Sequence, residues 1–188
     1  MKITLIAGGL VSLLIGIYAI FRVRSEYSYS GTLSSFTVFL VWFEYIFHSI
    51  LVALAAWYAP WQLNTLYGFS MPVGVVLLLA GVAMVVISVY QFGSVRRMSG
   101  QDTSQLVTSG IYRLSRNPQN VGWYLGLLGI VMLGRSPLAF GLSVGFILLL
   151  HYYIVKVEEP FLKRIYGADF VQYERKTSRY WGRKNDSP

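Results

Sequence analysis

Cysteine is absent and histidine occurs only twice. Disulfide frameworks, thiolate metal sites and cysteine nucleophiles are therefore excluded. Two histidines cannot build a multi-histidine metal centre, and no metal is expected. Charge is also scarce: Asp, Glu, Lys and Arg make up 13% of the chain, against about 25% in an average soluble domain. From Tyr45 to Val95 none of the four occurs. A wet surface depends on such residues, which argues against an ordinary soluble domain. A hydrophobic content of 55% argues against disorder. Acidic residues are few as well, 8 against 16 Lys and Arg. The resulting net charge of +8 suits nucleic acid or an anionic membrane surface, and the placement of the charges decides between them.

Five apolar stretches, 3–21, 36–59, 71–92, 118–134 and 137–155, are candidates for spanning helices, which need about 20 mostly apolar residues. Pro60 and the polar stretch 62–70 separate the second from the third. The fourth is short and crosses with little tilt, or stops short of one interface. Arg135-Ser136-Pro137 makes a tight turn, so the last two stretches form a helical hairpin. Each arm carries a small-residue pair, Gly122 with Gly126 and Gly141 with Gly145, a spacing that lets helix backbones approach in lipid.

Positive charge sets the orientation. The loop after the first stretch holds Arg22 and Arg24, and the segment after the third holds Arg96, Arg97, Arg113 and Arg116. The tail from Lys156 to Lys184 carries eight more, so fourteen of the 16 basic residues fall on one side. The positive-inside rule makes that side cytoplasmic and puts the N-terminus outside. Charge at separate membrane-proximal places reads as topology and lipid contact, and nucleic acid is not expected as a partner. The expected fold is an all-α integral membrane protein with about five transmembrane helices, the last two a tight hairpin. Residues 1–93 form an N-terminal three-helix region. Residues 94–188 form the functional region, in one integrated domain. In the tail, Phe161, Leu162, Ile165, Tyr166, Phe170 and Tyr173 recur at helical spacing. They predict an amphipathic cytoplasmic helix, broken near Gly167, lying on the membrane or on the segment 94–117.

Three places carry candidate chemistry. Around 104–120, Gly110 suits a turn, Asn117 the N-cap and Pro118 the first turn of the fourth stretch. This reads as a capped helix start with arginines facing phosphate headgroups, or as a ligand-binding entry. Glu158-Glu159 ends the fifth stretch. It reads as charge balance against nearby Lys and Arg, or as a receptor for the polar groups of a ligand. His151, Tyr152 and Tyr153, just before it, line a pocket or form an interfacial aromatic belt. Glu44 and His48 share a face of the second stretch. They fasten this helix to its neighbours, or form part of an acceptor pocket, since ionisable groups inside a membrane are expensive.

The run Leu106-Val-Thr-Ser-Gly-Ile-Tyr112, then Arg116-Asn-Pro118 and Val121-Gly-Trp123, resembles the isoprenylcysteine carboxyl methyltransferase family, grouped with the membrane phospholipid methyltransferases. Glu158-Glu159 and Tyr166-Gly-Ala-Asp-Phe-Val-Gln-Tyr173 match the family's last two elements in order and spacing. The likeness covers about 104–173. It implies an S-adenosylmethionine-dependent methyltransferase whose cofactor is contacted by Ser104, Gln105, Leu106 and Val107. Tyr112 follows as a pocket wall, then Asn117, Pro118, Gln119 and Asn120 at the helix entry, with Glu158 taking polar groups. Two positions depart from the pattern: Asn117 stands for the usual His, and Asn120 for the usual Tyr. Prenylcysteine-modifying members carry an arginine four residues before the glutamate, where Ile154 stands here. The resemblance therefore implies a lipid-like or hydrophobic small-molecule acceptor other than a prenylcysteine carboxylate. Glu44, His48, Ile154 and Glu159 are the candidate residues on the acceptor side.

The alternative readings are a phospholipid N-methyltransferase, a membrane reductase using a nicotinamide cofactor, and a non-enzymatic scaffold or small transporter built on Glu44 and His48. No glycine-rich phosphate loop supports the reductase.

Overall fold

The computed structural model describes residues 2–58 and 67–183. Their named elements are helices: α1 (Lys2–Tyr29), α2 (Ser35–Tyr58), α3 (Tyr67–Phe92), a short α4 (Val95–Met98), α5 (Pro118–Gly134), α6 (Pro137–Tyr153), α7 (Glu159–Tyr166) and α8 (Ala168–Lys176). Four are long and apolar enough to cross a membrane: Ile3–Tyr29, Ser35–Tyr58, Gly68–Phe92 and Pro137–Tyr166. The expected fifth, α5, has 17 residues. It rises about 26 Å, short of a hydrocarbon core of about 30 Å.

The helices carry their apolar side chains outward. Leu10, Leu14, Phe39, Phe43, Ile46, Leu79, Val82, Val86 and Leu148 are exposed, while Ser12, Glu44, His48, Ser88 and Ser143 are buried. An apolar exterior of this extent around a partly polar interior fits lipid rather than water. This is an integral membrane protein.

Packing within the bundle follows small residues. A Cβ on Gly81 of α3 would meet Gly122 O at 2.5 Å and Gly126 N at 2.6 Å, and one on Gly129 would meet Leu78 N at 2.7 Å. The α3 and α5 backbones therefore touch, at Gly122 and Gly129, while a Cβ on Gly126 itself would meet nothing within 4 Å. On α6, a Cβ on Gly141 or Gly145 also meets nothing within 4 Å.

Several expectations need correction. Helix α1 continues to Tyr29, so Arg22 and Arg24 sit on the helix and not in a loop. No glycine or proline stands between Phe21 and Gly31, and Arg22 pairs with Glu26 one turn on, at 2.7 Å. Glu26 in turn accepts from Ser34 N at 2.7 Å and Thr37 Oγ1 at 2.6 Å, which fixes the entry to α2. The polar stretch 62–70 lies outside the described residues as far as 66, and from Tyr67 it is already helix. Ala59, Pro60 and Lys184 also lie outside them.

The C-terminal end of α1, the N-terminal ends of α2 and α5, and the C-terminal end of α3 meet at one polar end. Leu33 N donates to Gly100 O at 2.9 Å, Gln101 Nε2 to Ser35 Oγ at 3.2 Å, and Ile111 N to Gln91 Oε1 at 2.6 Å. Arg164 of α7 donates to the carbonyl of Tyr27. The break at Gly167 is present, with φ +53°. Beyond it, Phe170 and Tyr173 of α8 are buried against Tyr112, so this helix lies on the segment 94–117.

Candidate functional site

The polar end holds two adjoining cavities. The first is an open cleft with about 880 Å³ of atom-free space, a figure that includes the solvent at its mouth. Its walls come from residues within 97–107, from Tyr112, from 116–120, from Glu158 and Glu159, and from aromatic side chains of α7 and α8. The second lies among α1, α2, α5 and the end of α6 and is lined by Trp42, Tyr45, Trp123 and Tyr153. Tyr27, Met98, Gln119, Asn120 and Glu158 border both.

The end of α6 explains why two consecutive glutamates have different surroundings. Over Ile154–Glu158 the helix widens into a π turn, and Glu159 N donates to Ile154 O. Pro160 follows. It has no N–H, and in a regular α-helix its ring would strike the Lys156 carbonyl. A wider turn relieves that clash, and such turns recur at functional sites.

Glu159 is buried and held by two guanidinium groups. Arg116 Nη2 donates to Oε1 at 2.6 Å, while Arg179 Nε donates to Oε1 at 2.9 Å and Nη2 to Oε2 at 2.7 Å. Arg116 is buried too, and its Nη1 donates to Thr177 O at 2.7 Å. It does not face headgroups: the sequence places it beside the membrane, but the tail folds back over it. Residues 177–183 form a strap. Arg116 N donates to Ser178 O at 3.0 Å and Gly182 N to Leu114 O at 2.8 Å. The hydrogen bonds to Glu159 hold the Arg179 guanidinium above its ordinary pKa.

Glu158 makes none of these contacts. Its Oε2 is buried without a hydrogen-bond partner, and its side chain borders both cavities. Opposite stands the entry of α5. Asn117 is the N-cap residue and Pro118 begins the helix, as expected, but the Asn117 side chain makes no capping bond. Its Nδ2 donates instead to Arg179 O at 3.3 Å. Asn120 Oδ1 accepts from Tyr45 Oη at 2.7 Å, which links the cleft to α2.

Gln105, Leu106, Val107, Tyr112, Asn117, Pro118, Gln119, Asn120 and Glu158 all line the cleft. Ser104 is exposed and lines a neighbouring groove that also includes Gln105 and Leu106. Tyr112 is buried, with its ring edge-on to Phe92, and burial pushes its phenol pKa up. Burial does the same to Tyr173, whose Oη donates to Tyr112 O at 2.6 Å. Ile154 is fully buried and lines neither cavity. Tyr153 lines the aromatic cavity, Tyr152 is exposed, and His151 Nδ1 lies 2.6 Å from Tyr180 Oη. Glu44 and His48 sit apart, both against Ser12 Oγ, at 2.6 and 2.7 Å.

The sequence reading missed Arg97, Asp102, Tyr27, Tyr45 and Arg179. Arg97 Nη1 donates to Gln105 Oε1 at 3.0 Å and so braces the cleft wall. Asp102 accepts from Ser104 N at 2.9 Å, and hydrogen bonds from Ser104 hold its carboxyl below the ordinary range. An Asp-x-Ser pattern is a turn signal that could have marked this bend. Nothing local in the sequence marks Arg179, whose partner is 20 residues away.

Among the described residues, no group of three or more His, Asp or Glu is placed to hold a metal. A family model described as phospholipid methyltransferase matches residues 69–169, from the start of α3 into α8. Two curated relatives, from Oryza sativa subsp. indica and subsp. japonica, are each named "Probable protein-S-isoprenylcysteine O-methyltransferase". Each is 31% identical over 117 residues, covering 58% of this chain and 60% of the relative. The chain thus spans less than two thirds of the length of the relatives it matches. No solved structure matches it. The matched stretch includes most of the cleft wall and both glutamates, and on that match the chain belongs to the phospholipid methyltransferase family.

Proposed function

We propose that this chain is an integral-membrane methyltransferase. In this reading S-adenosylmethionine binds in the polar cleft and a lipophilic acceptor in the aromatic cavity. The observation that carries the reading is Glu158, a carboxylate with an unpartnered buried oxygen at the border of the two cavities.

The residues present fit the cofactor's chemistry. Glu158 suits its ammonium or its ribose hydroxyls. Asn117 and the free N–H groups of the first turn of α5 suit its carboxylate. Leu106 and Val107 offer apolar surface, and an aromatic face such as that of Tyr112 holds a sulfonium by about 0.5–2 kcal/mol. The bound cofactor supplies an electrophilic methyl group on a positively charged sulfur, so no metal and no covalent enzyme intermediate are needed. The chain's contribution is to orient the two partners and exclude water. Tyr27, Met98, Gln119, Asn120 and Glu158 surround the place where the cavities join.

On the acceptor side, Tyr45, Trp42, Trp123 and Tyr153 offer apolar and aromatic surface, and the lining includes no Lys or Arg. Ile154 lines neither cavity. An acceptor carboxylate would meet Glu158 with no cation to answer it. This supports a neutral or amine-bearing acceptor, such as a phospholipid headgroup, over a prenylcysteine carboxylate. We assign Glu159 to holding the strap 177–183.

For topology, we read α5 as a fifth crossing. It starts at the polar end and returns through the turn at Arg135 to the start of α6. The polar end then faces the cytoplasm, with α7 and α8 on that side, and 1–93 and 94–188 form one unit through the α3–α5 contact. Calorimetric binding of S-adenosylhomocysteine to the purified chain tests the central reading. Binding that weakens in both Glu158→Gln and Asn117→Ala is expected. No binding by the wild type would overturn the reading.

A further inference from the structure

A third cavity lies deeper, among α1, α2 and α6. We propose that it binds the hydroxyl or amine of an otherwise apolar amphiphile, with Glu44 as the anchor. The site stands independently of the cofactor reading.

Ala19, Ile20, Val41, Phe146 and Leu149 line this cavity, and Glu44 stands on its wall as the only Asp, Glu, Lys or Arg. Glu44 is 4% exposed. Its Oε1 accepts from Ser12 Oγ at 2.6 Å, while its Oε2 is buried and has no hydrogen-bond partner. Ser12 has a single hydroxyl proton. Ser12 Oγ also lies 2.7 Å from His48 Nδ1. The imidazole is held flat on Phe146, with ring centroids 4.3 Å apart and planes 10° from parallel. This chain of bonds satisfies Oε1 and leaves Oε2 open.

Fastening α1 to α2 explains only half of that arrangement. A Ser12–His48 hydrogen bond would join the helices without any carboxylate. A carboxyl group with an open oxygen is expensive in a medium that contains no water. A ligand's O–H or N–H satisfies it, and the other lining residues fit an aliphatic chain. Gly16 keeps the space open: a Cβ there would run into Leu149 Cδ2 and come within 3.7 Å of Glu44 Oε1.

The cavity shares Val41, Tyr45 and Tyr153 with the aromatic cavity that Glu158 borders. Glu44 lies three residues beyond Val41 on α2, about 4.5 Å along the axis.

The test uses the purified full chain in detergent and three probes of equal chain length: hexadecanol, hexadecylamine and hexadecyl methyl ether. The alcohol and the amine each raise Tm by about 3 °C or more at saturation, and the ether, which has no donor, does not. Glu44→Leu abolishes both shifts. Glu44→Gln keeps an oxygen acceptor but not the charge, so it retains the alcohol shift and loses the amine shift. An ether shift equal to the other two in the wild type, or full shifts surviving in Glu44→Leu, would overturn the proposal. If Glu44→Leu fails to fold, the three-probe comparison in the wild type and in Glu44→Gln still decides. S-adenosylhomocysteine affinity is measured on the same samples. Unchanged affinity in the variants shows an intact fold. Its absence in the wild type sinks the methyltransferase reading and leaves the probe results standing.

Discussion

At the polar end, Glu159 sits between the guanidinium groups of Arg116 and Arg179. The contact between α3 and α5 carries no Asp, Glu, Lys or Arg and closes on glycine, with Gly81 against Gly122 and Gly126, and Gly74 and Leu78 against Gly129. Both regions hold the same bundle together by different means. Directional charge pairs fix the polar end. Close backbone packing fixes the middle, where lipid supplies no hydrophobic drive between helices. Within the polar end the contrast repeats at single-residue scale: Glu159 is answered by protein, while Glu158, one position earlier, keeps an oxygen free.

The largest expected effect comes from removing the answered charge. Glu159→Ala leaves Arg116 buried without its closest anion and should cost about 3–5 kcal/mol, the usual penalty for breaking a buried pair by removing one partner. Denaturant unfolding in detergent measures it. A loss below about 1 kcal/mol would mean that water already screens the cluster, and the contrast with Glu158 would dissolve.

Glu158→Gln should do the opposite. It removes no protein partner, so stability stays level or rises. S-adenosylhomocysteine affinity falls about tenfold to a hundredfold, the equivalent of one charge-assisted hydrogen bond of about 1.5–3 kcal/mol. Isothermal titration alongside a melting curve separates the two readouts. A variant that melts early and binds normally would exchange the roles assigned to the two glutamates.

Much of this division was legible in the sequence, because hydropathy, helix starts and helix ends are local signals. Four of the five apolar runs form helices long enough to span, though α1 runs past the expected end and α3 starts earlier than expected, and Pro118 at the start of α5 and the break at Gly167 stand where the sequence put them. Hydropathy reports depth and not rotation, so it could not show that Gly122 meets α3 while a Cβ on Gly141 or Gly145 would meet nothing within 4 Å among the described residues. The different fates of Glu158 and Glu159 depend on the π turn before Pro160 and on Arg179 arriving from a strap folded back over the cleft. Those are non-local events. The segment 104–120 and Glu158 were recognisable by motif, whereas the aromatic cavity draws Tyr27, Tyr45 and Tyr153 from three helices with no shared pattern.

The α3–α5 contact can be probed with one methyl group. A Cβ on Gly81 would stand 2.5 Å from Gly122 O and 2.6 Å from Gly126 N. Both are backbone atoms and cannot rotate away, so the helices must separate. Gly81→Ala should cost about 1–3 kcal/mol, as overpacking generally does, and lower Tm. Tolerance of the alanine without loss would mean that α3 and α5 adjust freely and that close approach is incidental.

The smallest effect, and the sharpest control, is the same substitution on the other small-residue pair. At Gly141 a Cβ meets nothing within 4 Å, so Gly141→Ala introduces no clash. Glycine in a helix interior is less stable than alanine by roughly 0.5–1 kcal/mol. The substitution should therefore leave Tm unchanged or raise it slightly, opposite in sign to Gly81→Ala. Both positions are glycines inside apolar helices, and the comparison turns on whether another backbone stands opposite. Measured at two protein concentrations, it also reports on association. A Gly141→Ala destabilisation that grows with concentration would mean a second copy packs against this face of α6, and the free and closed glycines would then differ only in which chain supplies the partner.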